Sequence, residues 1–435
     1  IRDTDRSRGL GDVYKRQDFK TFFEAIRHPI AIRSSSLLED SHYQPFAGIY
    51  STYMIPYLDD KDEMLRMLAA AIKSVYASVY FKDSKAYMTA TRNVIDQEKM
   101  AVILQEVVGK QYGDHFYPNF SGVLRSINYY PLGYEKSEEG IASLALGLGK
   151  YIVDGGQTLR VSPYHPTQVL QTSDMEIALR QTQTQFYALD MKRVGVDFKV
   201  DDGFNILKLK VKDAENDGAL NFIASTYDAN DRVIRDGLYD GGRKIVSFNG
   251  VLRHGVFPLP ELLKLSMHHG ADSMRRPVEI EFACTLNDDR TGEFYLLQIR
   301  PIVDSKQVLD QDIMTIPDDK CLLRSHNSLG HGVSDDIVDV VYVKTDENFT
   351  ASDNPVVAME VERINKKFLA DGKNYVLVGP GRWGSSDSWL GVPVKWPHIS
   401  AAKLIVETTL KNYSVDPSPV SYTHLRAHET DQYLV

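Results

Sequence analysis

RRPVEIEFACTLNDDRTGEFYLLQIRPI, residues 275–302, reads as a β-hairpin. Two runs with apolar residues at alternate positions flank a polar turn made of Asp288, Asp289, Arg290 and Thr291. Alternation of this kind marks a strand with one covered face, and the turn length sets which residues pair. A four-residue loop puts Glu281 opposite Gln298 and Glu279 opposite Arg300, with all four side chains on one face. A carboxylate facing a carboxamide oxygen offers hard ligands to Mg²⁺, which keeps several waters and shares its remaining shell with phosphate oxygens. Arg300, one strand step beyond Gln298, is placed to meet phosphate charge. The same four residues also describe an ordinary cross-strand ladder of opposite charges, which adds a little stability and no chemistry.

Outward from the hairpin, helix and strand signals alternate with no internal repeat. DDKDEMLRMLAAAIKSVYASVYF, 59–81, opens on acids and carries apolar residues at three- and four-residue spacing, which predicts a helix packed on a sheet. MAVILQEVVG (100–109) and SGVLRSINYY (121–130) predict strands, PLPELLKLSMHH (258–269) a helix, and GIASLALGLGKYIVDGG (140–156) a helix broken by glycines. Residues 303–418 form a last unit with its own strand and helix alternation and a glycine-rich loop, VGPGRWGSSDSW (378–389).

Composition sets the class. The chain has 435 residues, 43% hydrophobic and 25% charged, enough for two or three domains that each bury a core. No apolar run approaches the roughly 20 residues of a membrane span, and no signal peptide is present, so a cytoplasmic protein with no membrane partner is expected. A formal charge of −9 disfavours nucleic acid as the main partner. Cys284 and Cys321 sit in no paired metal-ligand spacing and are expected to be inert thiols.

Both ends read as translated DNA of another kind. IRDTDRSRGLGDVYKRQ, 1–17, looks like an indexed transposase sequencing adapter, and VSYTHLRAHETDQYLV, 420–435, like its reverse complement. A single barcode, ACTGATCG, accounts for Thr4 and Asp5 in one direction and for Asp431 and Gln432 in the other. The expected organisation is therefore an adapter-derived tail over 1–17, a first region over 18–302, a second over 303–419, and an adapter-derived tail over 420–435. The natural protein is expected to continue past both ends.

Several segments in order carry a resemblance. PIAIRSSSLLEDSHYQPFAGIYSTY (29–53), AVILQEVVG (101–109), SGVLRSINYYP (121–131), LGLGKYIVDGG (146–156), VEIEFACTL (278–286) and FYLLQIRPI (294–302) together resemble the nucleotide-binding domain of the phosphoenolpyruvate synthase and pyruvate phosphate dikinase family. The resemblance implies an α+β class, an ATP-grasp fold whose two lobes clamp ATP and Mg²⁺, here followed by a smaller α/β domain. It implies an enzyme that moves phosphoryl groups from MgATP through a histidine to pyruvate. By position, Arg33 matches the arginine on the ATP phosphates, with Ser34 beside it, and Glu281 and Gln298 match the metal and phosphate ligands. Glu279 and Arg300 match their neighbours, and Gln105, Glu106 and the backbone of Val107 match the hinge that meets adenine. Arg33 and Arg300 are the catalytic candidates, because guanidinium forks neutralise phosphoryl oxygens.

A strand that ends in RSSS would place Arg33, hydroxyls and backbone amides where phosphate can be held, and Gly48 would let a neighbouring loop come close. Ser35 or Ser36 with Glu39 also fits a helix cap. Two departures stand out. The family's Gly-Gly-Lys segment is not found between Asp18 and Pro29, so this stretch of chain is expected to be inactive as it stands. Its Gly-Gly-x-Thr-Ser-His phosphocarrier motif is not found either, and His326 and His331 are the nearest candidates. The loop GPGRWGSSD is either a second anion site built on Arg382 and backbone amides or a tight turn that exposes Trp383 and Trp389. The alternative function is a nucleotide-sensing protein, or a kinase with another acceptor, that keeps the ATP clamp. The oligomeric state is left open.

Overall fold

The computed structural model describes residues 17–36, 50–81, 84–85, 98–128, 131–132, 134–192, 200–201, 203–302, 316–323, 337–345, 349–385 and 389–408. Gly48, Glu39, His326, His331 and the two adapter-like ends, apart from Gln17, lie outside these residues.

The chain is of mixed α and β structure. Its first unit is a three-stranded antiparallel sheet, with β1 (Ile30–Ser36) between β2 (Tyr53–Ile55) and β3 (Met100–Glu106). Helix α1 (17–25) and α2 (Lys61–Ser78) supply the rest of its core. The acids that open α2 cap it: Asp60 accepts from the amides of Asp62 and Glu63. Met64, Met67, Leu68, Ala71 and Val75 follow at helical spacing and are buried against Ile30 and Ile32. Strand β1 ends in Arg33 and the three serines, as the sequence suggested. It pairs with β3 out to Ser36↔Met100, so Ser35 and Ser36 are ladder residues; Glu39, on which the helix-cap reading turns, lies outside the described residues.

The second unit is built on a five-stranded antiparallel sheet in the order β15-β14-β6-β7-β8: β6 (Phe120–Arg125), β7 (Ile141–Ala145), β8 (Leu159–Val161), β14 (Val278–Leu286) and β15 (Gly292–Pro301). Residues 140–156 are not a broken helix. Ile141–Ala145 are buried on both faces as β7, and only Lys150–Val153 turn, as the short helix α3. A strand covered on both faces shows no alternation, so its apolar run imitates a helix. Gly122 explains the SGV segment: a Cβ there would lie 2.2 Å from the ring of Phe282 on the neighbouring strand. A four-stranded sheet, order β10-β9-β5-β4, adjoins it: β4 (Lys110–Tyr112), β5 (His115–Tyr117), β9 (Gln185–Asp190) and β10 (Ile206–Lys210). Helices α4 (Met175–Gln181), α5 (Val211–Asn216), α6 (Asn249–Leu252) and α7 (Leu259–Met274) complete the unit with a small sheet of β11 (Ala224–Asp228), β12 (Val233–Asp236) and β13 (Arg243–Val246). Leu259, Leu263 and Met267 of α7 join the core with Val278, Ile280 and Phe282 of β14.

The hairpin pairs as expected at the residues that matter, by a different route. The turn holds five residues, since Leu286 pairs with Gly292, and Asp289 Oδ1 accepts from both the amide and the hydroxyl of Thr291. A β-bulge between Glu281 and Phe282 leaves Leu297 as the extra residue on β15 and restores Glu281↔Gln298 and Glu279↔Arg300.

Beyond residue 337 comes a three-stranded parallel sheet, order β16-β17-β20, of β16 (Val340–Tyr342), β17 (Tyr375–Pro380) and β20 (Ala402–Thr408). It carries α8 (Asn354–Ala370), α9 (Trp396–Ile399) and the two-residue strands β18 (Arg382–Trp383) and β19 (Gly391–Val392). Tyr50 and Val79 of the first unit share its core. Trp383 is not exposed: it is fully buried there, and its indole Nε1 donates to the Val406 carbonyl at 3.3 Å. Trp389 is exposed as expected. Cys284 is buried and burial raises its thiol pKa, which keeps it protonated and inert. Among the described residues no helix is long and apolar enough to cross a membrane.

Candidate functional site

Strand alternation and one bulge assemble the site. Glu279 and Glu281 lie two residues apart on β14, so both project from the same face, and Gln298 and Arg300 do so directly opposite on β15. The first unit contributes Arg33 from the middle of β1. Its Nη2 donates to Glu281 Oε2 at 2.9 Å and to Gln298 Oε1 at 2.6 Å. Arg300 Nη2 donates to the other Glu281 oxygen, Oε1, at 2.8 Å, and its Nε lies 3.4 Å from Glu279 Oε1. Gln105 of β3 closes the group: it accepts from Arg33 Nη1 at 3.4 Å and donates to the Leu297 carbonyl, the bulged residue, at 3.3 Å. The bulge thus re-aims the strand and presents a carbonyl to the facing sheet.

Arg125 of β6 pairs with Glu279, through Nε at 2.7 Å and Nη2 at 2.6 Å, so among the described residues three guanidiniums surround two carboxylates. Arg33, Glu281 and Arg300 keep 15–22% of their side chains exposed, whereas Arg125 and Glu279 are almost fully buried. The cluster is therefore open to a ligand on the Arg33 side and closed on the Arg125 side. Guanidiniums with fixed, forked donors suit an oxyanion.

Other expected site residues are placed differently. Ser34 alternates with Arg33, which turns its side chain to the Ile30 and Ile32 face that packs on α2, away from the cluster. The Glu106 carboxylate accepts from the amides of Arg27 and His28, so it shapes the entry into β1 and does not face the cluster. The Val107 amide donates to the Pro29 carbonyl at 2.8 Å, which leaves only its carbonyl for a base. Gly48 lies outside the described residues. Arg125 went unnoticed in the sequence, although SGVLR lies one strand from the hairpin. Only the β6–β14 register, Glu279↔Arg125, brings it in.

In the loop at 379–385 four backbone amides are used within the protein. The amides of Gly381, Arg382, Trp383 and Gly384 donate to the Thr408 carbonyl, the Leu390 carbonyl, the Glu407 carboxylate and the Val392 carbonyl. Those four amides are thus taken by protein oxygens, and residues 386–388 of the loop lie outside the described residues.

Comparison with known proteins places this geometry in a family. The model of the pyruvate phosphate dikinase AMP/ATP-binding domain matches residues 11–320, and the chain belongs to that family. An uncharacterized phosphotransferase of Bacillus subtilis (strain 168), YvkC, is 30% identical over 129 residues, 30% of this chain and 14% of that protein. A phosphoenolpyruvate synthase of Aeropyrum pernix is 27% identical over 197 residues, 44% of this chain and 21% of that protein. The matched segments thus span about a fifth or less of each relative.

Proposed function

We propose that this chain is the ATP-binding part of a phosphoenolpyruvate synthase-like phosphotransferase with an ATP-grasp fold, the β1 and β14/β15 sheets being its two lobes. The observation that supports this most is the meeting of Arg33, from one sheet, with Glu281 and Gln298, from another, at 2.9 and 2.6 Å. Residues 248 and 265 positions apart gain nothing from this convergence as a surface ladder, and a site between two sheets is where a ligand can be clamped.

The donor set fits Mg²⁺. Glu281 and Gln298 are direct cross-strand neighbours that both present oxygen, and among the described residues no group of three or more His, Cys, Asp or Glu is placed to hold a metal. Two protein oxygens with a shell completed by phosphate and water is the arrangement that Mg²⁺ favours. When bound, the ion would offset the charge of the triphosphate. The protein's own share is electrostatic and positional. On nucleotide binding Arg33 exchanges its carboxylate and carboxamide partners for phosphate oxygens, which frees the Glu281 and Gln298 oxygens, and Arg300 steadies Glu281 through Oε1. Gln105 and the Val107 carbonyl line the adenine side. Pyruvate is the proposed acceptor, reached through a phosphohistidine that no residue of this chain is assigned to.

A second function is favoured by one observation. The family match ends at residue 320, and the parallel β16-β17-β20 unit beyond it shares its core with Tyr50 and Val79 of the Arg33 lobe. A unit locked onto one lobe would report lobe closure, as a nucleotide sensor or a kinase with another acceptor requires. Calorimetry of the full-length protein with MgATP tests the shared premise. Pyruvate-dependent consumption of ATP separates the two: its presence establishes the synthase, and tight MgATP binding with no such turnover favours the sensor or another acceptor. No MgATP binding at all would leave Glu279, Glu281 and Arg300 as a structural charge ladder.

A further inference from the structure

Arg125 is 2% exposed and sits on β6, two strands in from the edge strand β15. Its cross-strand neighbour on β14 is Glu279, and it spends both Nε and Nη2 on a single oxygen of that residue, Oε2. The other oxygen, Oε1, is the one 3.4 Å from Arg300 Nε. Arg300 in turn reaches Glu281 Oε1 with Nη2 at 2.8 Å, and Glu281 Oε2 takes Arg33. The result is an alternating row, Arg125, Glu279, Arg300, Glu281, Arg33, that runs from the buried middle of one sheet to the facing sheet.

The arrangement makes Arg125 decisive for what Arg300 does. A carboxylate buried as deeply as Glu279 needs a full cationic partner. With Arg125 in place that demand is met at Oε2, and Arg300 is held by Glu279 through one long contact while its Nη2 is directed to Glu281. Without Arg125, Glu279 would draw the whole Arg300 fork inward and away from Glu281. Stability alone is a weak reason for such a residue, since a buried ion pair contributes little net stability over an apolar pair of the same size. Val123, two residues earlier on the same strand face, is apolar and covered by Tyr151 and Ile152 of α3, so this face accepts an apolar side chain readily.

Resting on the nucleotide site proposed above, we propose that Arg125 is its positioning residue: it holds Glu279 so that Arg300 and Arg33 remain available to the triphosphate. The ligand class this tunes is the polyanionic part of the nucleotide and not the base. Arg125 touches no ligand itself and acts through Glu279 and Arg300.

The test measures binding of MgATP and of adenosine to the full-length protein by calorimetry, with thermal unfolding alongside. Arg125→Met is expected to weaken MgATP binding about tenfold and to leave adenosine binding unchanged. The double variant Arg125→Met/Glu279→Gln removes the carboxylate that would compete for Arg300, so it should recover most of that tenfold. A purely structural role predicts the opposite, with equal losses for adenosine and MgATP and no recovery in the double variant. If Arg125→Met does not fold, Arg125→Lys and the double variant carry the test. The lysine keeps the charge without the fork, and about a threefold loss for MgATP alone is expected. Wild-type MgATP binding with unchanged affinity in all the variants that fold would overturn the role of Arg125. Absence of MgATP binding by the wild type would overturn the nucleotide site itself.

Discussion

Two polar clusters lie inside the same family region, and they are built on opposite plans. At the β1–β14–β15 junction two carboxylates are shared among three guanidiniums drawn from two sheets, with the Arg33 side partly exposed. Near the end of α5, Asp217 Oδ2 accepts from the Tyr117 hydroxyl at 2.7 Å and from His115 Nδ1 at 2.9 Å, all from one unit. Tyr117 is fully buried, and the group satisfies itself. The contrast teaches what separates a site from a strut. Both contain ionisable residues at hydrogen-bond distance, but only the first joins side chains from two separate sheets. Each prediction below alters one cluster and uses the other as its control.

The largest effect is expected at Glu281. Glu281→Gln keeps the size and removes the charge that offsets the metal, so MgATP affinity should fall about 100-fold, near 2.7 kcal/mol, with little change in thermal unfolding. Binding of ATP without metal should hold or rise, because Arg33 and Arg300 lose an internal competitor. Calorimetry with and without Mg²⁺ checks both signs, and equal losses in the two conditions would show that Glu281 is no metal ligand. Asp217→Asn is next. Removing the charge that Tyr117 and His115 share should cost about 2 kcal/mol of stability in denaturant melts, while MgATP affinity stays within twofold. A loss of nucleotide binding there would erase the distinction between the clusters. Arg33→Lys ranks third, with about a tenfold loss for MgATP, since a point charge does not reproduce a planar fork that bonds Glu281, Gln298 and Gln105 at once. Unchanged affinity would remove Arg33 from the phosphate site.

How much of this was legible in the sequence follows the range of the interactions. The α2 cap and stripe, the hairpin and the pairing of Glu281 with Gln298 depend on local alternation and were readable, although the turn is one residue longer and the Leu297 bulge compensates. A bulge has no sequence signature of its own, so the right register was reached on the wrong loop length. Strand β7 was misread because burial on both faces erases its period. Ser34 was included by adjacency to Arg33, but alternation turns it to the other face; Glu106 came from the family's hinge, and its carboxylate accepts from the Arg27 and His28 amides. Arg125 needs the β6–β14 register, which no local pattern contains. Trp383 looked exposed because a glycine-rich loop suggests a surface turn, whereas the indole anchors that loop in the parallel unit.

The smallest expected effect sharpens the structural side of the comparison through pH. Burial first, then the hydrogen bond to the Asp217 carboxylate and its charge, raise the Tyr117 pKa far above its usual value of 10.0, and burial with the Asp217 charge raises Tyr112 to about 12. A group whose folded pKa is raised binds its proton more tightly in the folded protein. Its contribution is therefore complete below pH 10, where both states are protonated, and is lost as pH climbs and the unfolded tyrosine ionises. Each such tyrosine should remove up to about 1.4 kcal/mol of stability per pH unit above 10 until its folded value is reached. Tyr117→Phe gives up one hydrogen bond, about 1 kcal/mol at pH 8, and abolishes that share of the alkaline slope. Denaturant melts of the two proteins between pH 8 and 11 should therefore converge as pH rises, and cross if the native hydrogen bond is weak. Parallel curves would mean that the Tyr117 proton is not held by Asp217, and the second cluster would lose its standing as the self-satisfied member of the pair.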